Sequence, residues 1–184
     1  MADQAIATRN VPLAGRRGGS PAAILTPADP ASRIALRAGA EAVSALSAAL
    51  GVTLPVRPKT SASTGRRHAL WLGPDEWLVI DEDNADLMAA AASSGVVHSA
   101  VDVSHRNTAV IVSGPGAEVA INSGCPQDLS LAIFPVGACS RTIFGKAEIV
   151  LFRTAEDTFR VECWRSFSPF VFGLLSEGAE DAAY

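Results

Sequence analysis

Few residues here could do covalent or acid–base chemistry: three cysteines, Cys125, Cys139 and Cys163, and three histidines, His68, His98 and His105. A Cys–His nucleophile needs a thiol beside a base. Cys163 falls on the inward face of an alternating strand and reads as a small core residue, whereas Cys125 and Cys139 flank proline-bearing loops and are expected to be more open. His98 and Asp102 share one face of a strand, but that spacing separates them by ~13 Å, too far for a dyad without a third group. The histidines lack metal-ligand spacing and no C-x-x-C occurs, so a zinc site is not expected. Asp75 and Glu76 lie in a turn, and Asp81, Asp83 and Asp86 surround a helix start, where acids complement the helix dipole. Gly114-Pro115-Gly116 is followed by Val119 where a dinucleotide loop needs a third small residue, so it reads as a helix entry, and no Walker A sequence occurs. The expectation is a chain with no catalytic, cofactor-binding or metal-binding residue.

The bulk composition agrees. The chain has 184 residues, 48% hydrophobic and 18% charged, with a formal net charge of −4. A chain of this size buries roughly 70% of its unfolded surface and needs no disulfide or metal staple. No broad basic field exists to neutralise phosphates, so nucleic acid is not an expected partner. An odd number of cysteines suits a reducing compartment. No signal-peptide core and no run approaching the roughly 20 apolar residues of a membrane span is visible. The expectation is a soluble, cytoplasmic protein without membrane contact.

The elements that would position these groups can be read from periodicity. Residues 1–30, with Gly18, Gly19, Pro21, Pro27 and Pro30, show no sustained period and read as a flexible arm. From Ser32, Ile34 and Leu36 alternate with Arg33 and Arg37, a half-buried strand. A helix over 39–50 ends at Gly51, and 55–67 reads as a loop. His68 to Asp81 is a β-hairpin about the turn Gly73-Pro74-Asp75-Glu76. A second helix spans 84–94, strands follow at 97–103 and 108–112, and Pro115 opens a short helix closed by Gly124. A three-strand meander covers 139–144, 147–153 and 158–164, turning at Gly145-Lys146. In its last strand Phe159, Val161 and Cys163 point inward, while Arg160 and Glu162 are expected in water. The last helix, 168–177, has Ser168 as its cap and Pro169 in its first turn.

The order β-α-β-β-α-β, then β-α-β-β-β-α, predicts an α+β fold: mostly antiparallel sheets with packed helices, in two ferredoxin-like βαββαβ-type halves. Residues 31–184 form a single domain, its halves about 31–103 and 104–178. Trp71, Trp77 and Trp164 belong to strands, and the tryptophan hairpin is apolar on both faces: Leu70, Trp71 and Leu72, then Trp77, Leu78, Val79 and Ile80. A hairpin at a sheet edge should have one wet face. Here either a helix covers the second face or another chain does. Trp71, Trp77, Arg141, Trp164 and Arg165 are the candidate interface residues, because tryptophan and arginine anchor interfaces most often.

Five motifs then occur in order: Trp71-Leu-Gly-Pro-Asp-Glu-Trp77, Asp102-Val-Ser104, Gly124-Cys125 with Asp128-Leu129, Pro135-Val-Gly-Ala-Cys-Ser-Arg-Thr142, and Arg165-Ser-Phe167. Over roughly residues 30–178 the chain resembles the gamma subunit of heterotetrameric sarcosine oxidase. The resemblance implies a fold similar to the folate-binding domain of aminomethyltransferases, the glycine-cleavage T-protein group. It also implies a non-catalytic accessory subunit with alpha, beta and delta partners. Those partners would carry FAD, FMN, NAD and tetrahydrofolate, and none would sit in this chain. The assembled enzyme would oxidatively demethylate sarcosine to glycine, giving hydrogen peroxide and 5,10-methylenetetrahydrofolate. A second reading is a small folate-binding aminomethyltransferase-like module acting on its own. Folate-binding relatives, however, are about twice as long, and no carboxylate for a pterin ring carries over here. Arg141, within the Pro-Val-Gly-x-Cys-x-Arg-Thr run, is expected to fix the Cys139 loop or a partner's carboxylate.

Overall fold

In a computed structural model, which describes residues 11–184, the chain begins with β1 (Gly18–Gly19), β2 (Ile24–Pro27), β3 (Ser32–Ala38) and α1 (Val43–Leu50). It continues through β4 (Ser61–Thr64), β5 (Arg67–Gly73), β6 (Glu76–Asp81), α2 (Leu87–Ala92) and β7 (His98–Asp102). The second half holds β8 (Asn107–Ser113), α3 (Ala117–Asn122), β9 (Cys139–Phe144), β10 (Ala147–Ala155), β11 (Thr158–Trp164) and α4 (Ser168–Asp181). All strand pairings are antiparallel, in two sheets ordered β4-β5-β6-β3-β7 and β1-β2-β8-β11-β10-β9. The fold is α+β, as the element order predicts.

Local chemistry fixes the boundaries. Gly51 takes the left-handed conformation that ends α1, at φ 64°, which glycine adopts without a Cβ clash. Asp86 caps α2 by accepting the Ala89 N–H at 2.9 Å. Both edge hairpins turn in two residues, Gly65-Arg66 between β4 and β5 and Gly145-Lys146 between β9 and β10, each with its glycine at positive φ. Ser168 does not cap α4, contrary to the sequence reading. Its hydroxyl donates instead to the Arg165 carbonyl, 2.8 Å away, closing a single 3-10 turn over 165–167 that leads into the helix.

The first half closes on itself. Its sheet runs β7-β3-β6-β5, the 4-1-3-2 order of a ferredoxin-like βαββαβ unit, with β4 added at the edge. The second half, β8-β11-β10 with β9 at the edge, lacks a strand after α4. That position beside β8 is filled by β2, which pairs Leu25 with Val112 and Ile24 with Ser113. The arm expected over 1–30 is therefore corrected over 11–30: Leu13, Ala23 and Leu25 are buried, and β2 completes the second sheet. Residues 1–10 lie outside the described residues. Likewise 55–67 is not all loop, since β4 lies within it and Thr60 bridges to Ala138 of the other half.

Four layers result. α1 and α2 cover one face of the first sheet, where Leu46, Leu50 and Leu87 share a core with Leu36, Trp77 and Val79. α3 and α4 cover the outer face of the second sheet, where Ile121, Val171 and Leu175 meet Val110, Leu151 and Phe159. The two sheets face each other through Leu70, Leu78, Ile80, Cys139, Val150 and Phe152. The double-sided hairpin is thus explained inside the chain: helices take the tryptophan face, and the second sheet takes the leucine face. Neither cover offered by the sequence, one helix or one foreign chain, included that second sheet.

Candidate interaction surface

The nucleophiles are locked away. Cys125, Cys139 and Cys163 are all free and buried, so the expected openness of Cys125 and Cys139 does not hold. Burial pushes the Cys139 and Cys163 thiols up to about 12, far from the thiolate that nucleophilic chemistry needs. The Cys139 thiol donates to the Thr60 and Trp71 carbonyls at 3.2 and 3.5 Å. Each of two histidines has a local partner: His68 Nδ1 lies 2.8 Å from Ser63 Oγ, and His98 Nδ1 lies 2.8 Å from the Val96 carbonyl oxygen. Among the described residues no three His, Cys, Asp or Glu side chains converge as a metal site. The Gly114-Pro115-Gly116 loop is filled by the chain itself. The Gly116 N–H donates to the Ala22 carbonyl at 2.8 Å, and a Cβ on Gly114 would stand 2.5 Å from that same oxygen.

Charge is concentrated between the sheets. Glu162 on β11, expected in water, is 1% exposed, and Arg160 and Arg33 are 2% exposed. Arg33 grips Glu162 with Nε and Nη2, at 2.8 and 3.0 Å, and Arg160 Nε reaches the same carboxylate at 2.8 Å. Arg160 also binds Glu82, which Arg66 meets from outside. Burial pushes the Glu162 carboxyl up, but Arg33 and Arg160 outweigh it and hold it below the usual range. The alternation along β11 was legible, but the second sheet that converts its polar face into an interior was not.

The five candidate interface residues separate into three groups. Trp77 is 1% exposed and donates its indole N–H to the Pro55 carbonyl at 2.7 Å, so it is core and has no surface to offer a partner. Trp71, opposite it on β5, is half-buried against the same cluster. Arg141 ties the sheets together by forking onto Glu76 of β6, with Nη2 2.5 Å and Nη1 3.3 Å from the carboxylate oxygens. Arg141 holds the Glu76 carboxyl below its ordinary value, and Glu76 in turn raises the guanidinium. Only Trp164 and Arg165 stand together near solvent. Trp164 is 40% exposed, its ring 6.0 Å from that of Phe167 and 5.1 Å from the Arg106 guanidinium. Arg106 was not picked out by the sequence, and the His105 beside it was weighed only as a base or metal ligand. Their position in the four-residue link between β7 and β8, strands of different sheets, was their only signal as surface residues.

Between Trp164 and the edge hairpins, the gap between the sheets opens as a cleft lined by Leu72, Glu76, Arg141, Glu148, Glu162 and Trp164. Its three carboxylates are each already met by an arginine of this chain: Glu76 and Glu148 by Arg141, Glu162 by Arg33 and Arg160. None is left to hold the ring nitrogens of a pterin. These residues do not fit a folate. No helix of the described residues is long and apolar enough to cross a membrane.

Two facing antiparallel sheets, each with two helices on its outer side, define the class of fold seen in aminomethyltransferases. Aminomethyltransferase T of the glycine cleavage system from Bartonella henselae superposes with a TM-score of 0.63 at 15% identity, over 82% of this chain and 44% of that one. Residues 35–181 match the sarcosine oxidase, gamma subunit family, and the chain belongs to that family. It is similar to sarcosine oxidase subunit gamma of an Arthrobacter species, 33% identical over 71% of this chain and 67% of the relative. The subunit gamma of Corynebacterium sp. (strain P-1) is 32% identical over 83% of this chain and 78% of the relative. A chain of the heterotetrameric sarcosine oxidase from Corynebacterium sp. U-96, solved in complex with pyrrole 2-carboxylate, superposes with a TM-score of 0.86 at 26% identity. That alignment covers 96% of this chain and 97% of that one.

Proposed function

We propose that this chain is a non-catalytic, structural subunit of a heterotetrameric sarcosine oxidase, assembled with alpha, beta and delta subunits. In this reading the partners carry FAD, FMN, NAD and tetrahydrofolate. The assembled enzyme converts sarcosine to glycine, with hydrogen peroxide and 5,10-methylenetetrahydrofolate as products. The supporting observation is the nearly full-length superposition on a chain of such an assembly. The buried thiols and the arginine-paired carboxylates of the inter-sheet cleft favour the same reading, because each of those groups is already engaged within the chain. The test is coexpression with the other subunits, followed by size-exclusion chromatography monitored at flavin wavelengths. The chain is expected to co-elute with the flavin peak and, purified alone, to be colourless and inactive on sarcosine. Stoichiometric flavin on the lone chain, or tight calorimetric binding of tetrahydrofolate by it, would overturn the proposal.

A further inference from the structure

Every arginine on a strand has a carboxylate of its own chain within reach: Arg33, Arg37, Arg67, Arg141, Arg153 and Arg160. Off the strands several arginines have no such partner among the described residues, and two of them share one basin at one end of the molecule. Arg106 and Arg165, with His105 beside them, meet no acid among the described residues, although acids outnumber basic residues in the chain and its formal charge is −4. Together with Pro12, Trp164 and Ser166 they line an open, shallow basin. Asp29 lies in the adjoining cleft with His105 and Arg165 and makes no ion pair with either.

The basin is held in shape by backbone. The Arg165 N–H donates to the Arg106 carbonyl at 2.7 Å, which locks the β7–β8 link to the turn that precedes α4. Arg106 lies over the Trp164 ring, and that indole leans on Phe167, itself 44% exposed. Among the described residues, two guanidinium groups and an imidazole therefore stand around a half-exposed aromatic shelf. Two guanidinium groups with no acid beside them among the described residues repel one another, and an incoming carboxylate relieves them. The guanidinium fork favours carboxylates in particular.

We propose that this basin docks an acidic segment of a partner subunit, with carboxylates on Arg106 and Arg165 and an apolar side chain covering Trp164 and Phe167. This rests on the reading of the chain as a subunit. Charge complementarity identifies the partner's chemistry. The open shape and the half-exposed indole favour a polypeptide over a small anion, since arginine and tryptophan concentrate at the centres of protein interfaces.

The experiment compares wild type with R106E/R165E, W164A and R165K, each coexpressed as the full chain with the other subunits. All three substituted residues carry exposed or half-exposed side chains, and a thermal melt of each lone variant checks that it folds. R106E/R165E is expected to weaken association on the order of a hundredfold at physiological salt, and W164A on the order of tenfold. In R165K, zero-length carbodiimide coupling is expected to join the new amine to an aspartate or glutamate of another subunit. Assembly of R106E/R165E with wild-type affinity overturns the proposal. So does a cross-link only between two copies of this chain, or tight binding of free glutamate or inorganic phosphate that wild type shows and R106E/R165E lacks. If wild type itself fails to join the other subunits, the subunit reading fails as well, which separates the two outcomes.

Discussion

Trp77 and Trp164 carry the same side chain to opposite fates, and the difference sets their mutational cost. Trp77 lies wholly within the core and its indole N–H is satisfied by Pro55. W77A therefore empties a large buried site and should cost about 3–5 kcal/mol of folding stability, measured by urea denaturation. W164A removes a half-exposed ring and should cost less than about 1 kcal/mol in the same assay. Equal costs for the two would contradict the burial assigned here. Both tryptophans were visible as aromatic residues of strands, but adjacent apolar runs do not say which face of a sheet is roofed. The cysteines follow the same logic. Buried, with thiols pushed up to about 12, Cys139 and Cys163 should resist Ellman's reagent at pH 8 in the native protein and react only on unfolding. Rapid native-state labelling of Cys139 would show that the inter-sheet layer opens, and labelling of Cys163 that the core under α3 and α4 does.

At the scale of elements, the decisive strand is β2. Its four residues, Ile-Leu-Thr-Pro, follow glycines and prolines and carry too short an alternation to declare a strand. Only the register with β8 reveals them as the missing fourth strand of the second half. The meander, the hairpin and both long helices were legible because their periods run over many residues. β2 and β4 were not, since a short strand is specified by what it pairs with rather than by its own pattern. The close approach of β2 to the 113–116 turn requires Gly114, at φ 118° with Ala22 O against its absent Cβ. G114A should therefore peel β2 from β8, lowering stability by more than about 1 kcal/mol. Hydrogen exchange should locate the loss, with faster exchange at the β2–β8 ladder while the β3–β6 ladder stays protected. Uniform acceleration across both sheets would instead mean that the halves unfold as one.

The molecule as a whole is two such halves joined face to face, partly by grease and partly by the Arg33–Glu162–Arg160 network. Breaking a buried ion pair by removing one partner commonly costs about 3–5 kcal/mol, because the remaining charge is stranded. E162Q leaves two buried guanidinium groups without their shared carboxylate, and a loss of that size is expected at pH 7. The pH dependence carries a second signature. Burial disfavours the Glu162 carboxylate, but its two arginines prevail and its folded value lies below the unfolded one, about 4.3. The stabilisation is therefore fully present above that unfolded value. As pH falls below it, the unfolded chain takes up a proton that the folded chain refuses, so stability declines until Glu162 itself protonates. Glu76 and Asp81 shift the same way and steepen the decline. Wild type should thus lose stability in urea titrations between about pH 5 and pH 3, and E162Q should lose it less steeply from its lower starting point. Parallel slopes would mean that Glu162 titrates alike in the folded and unfolded chains, so that its two arginines do not outweigh its burial.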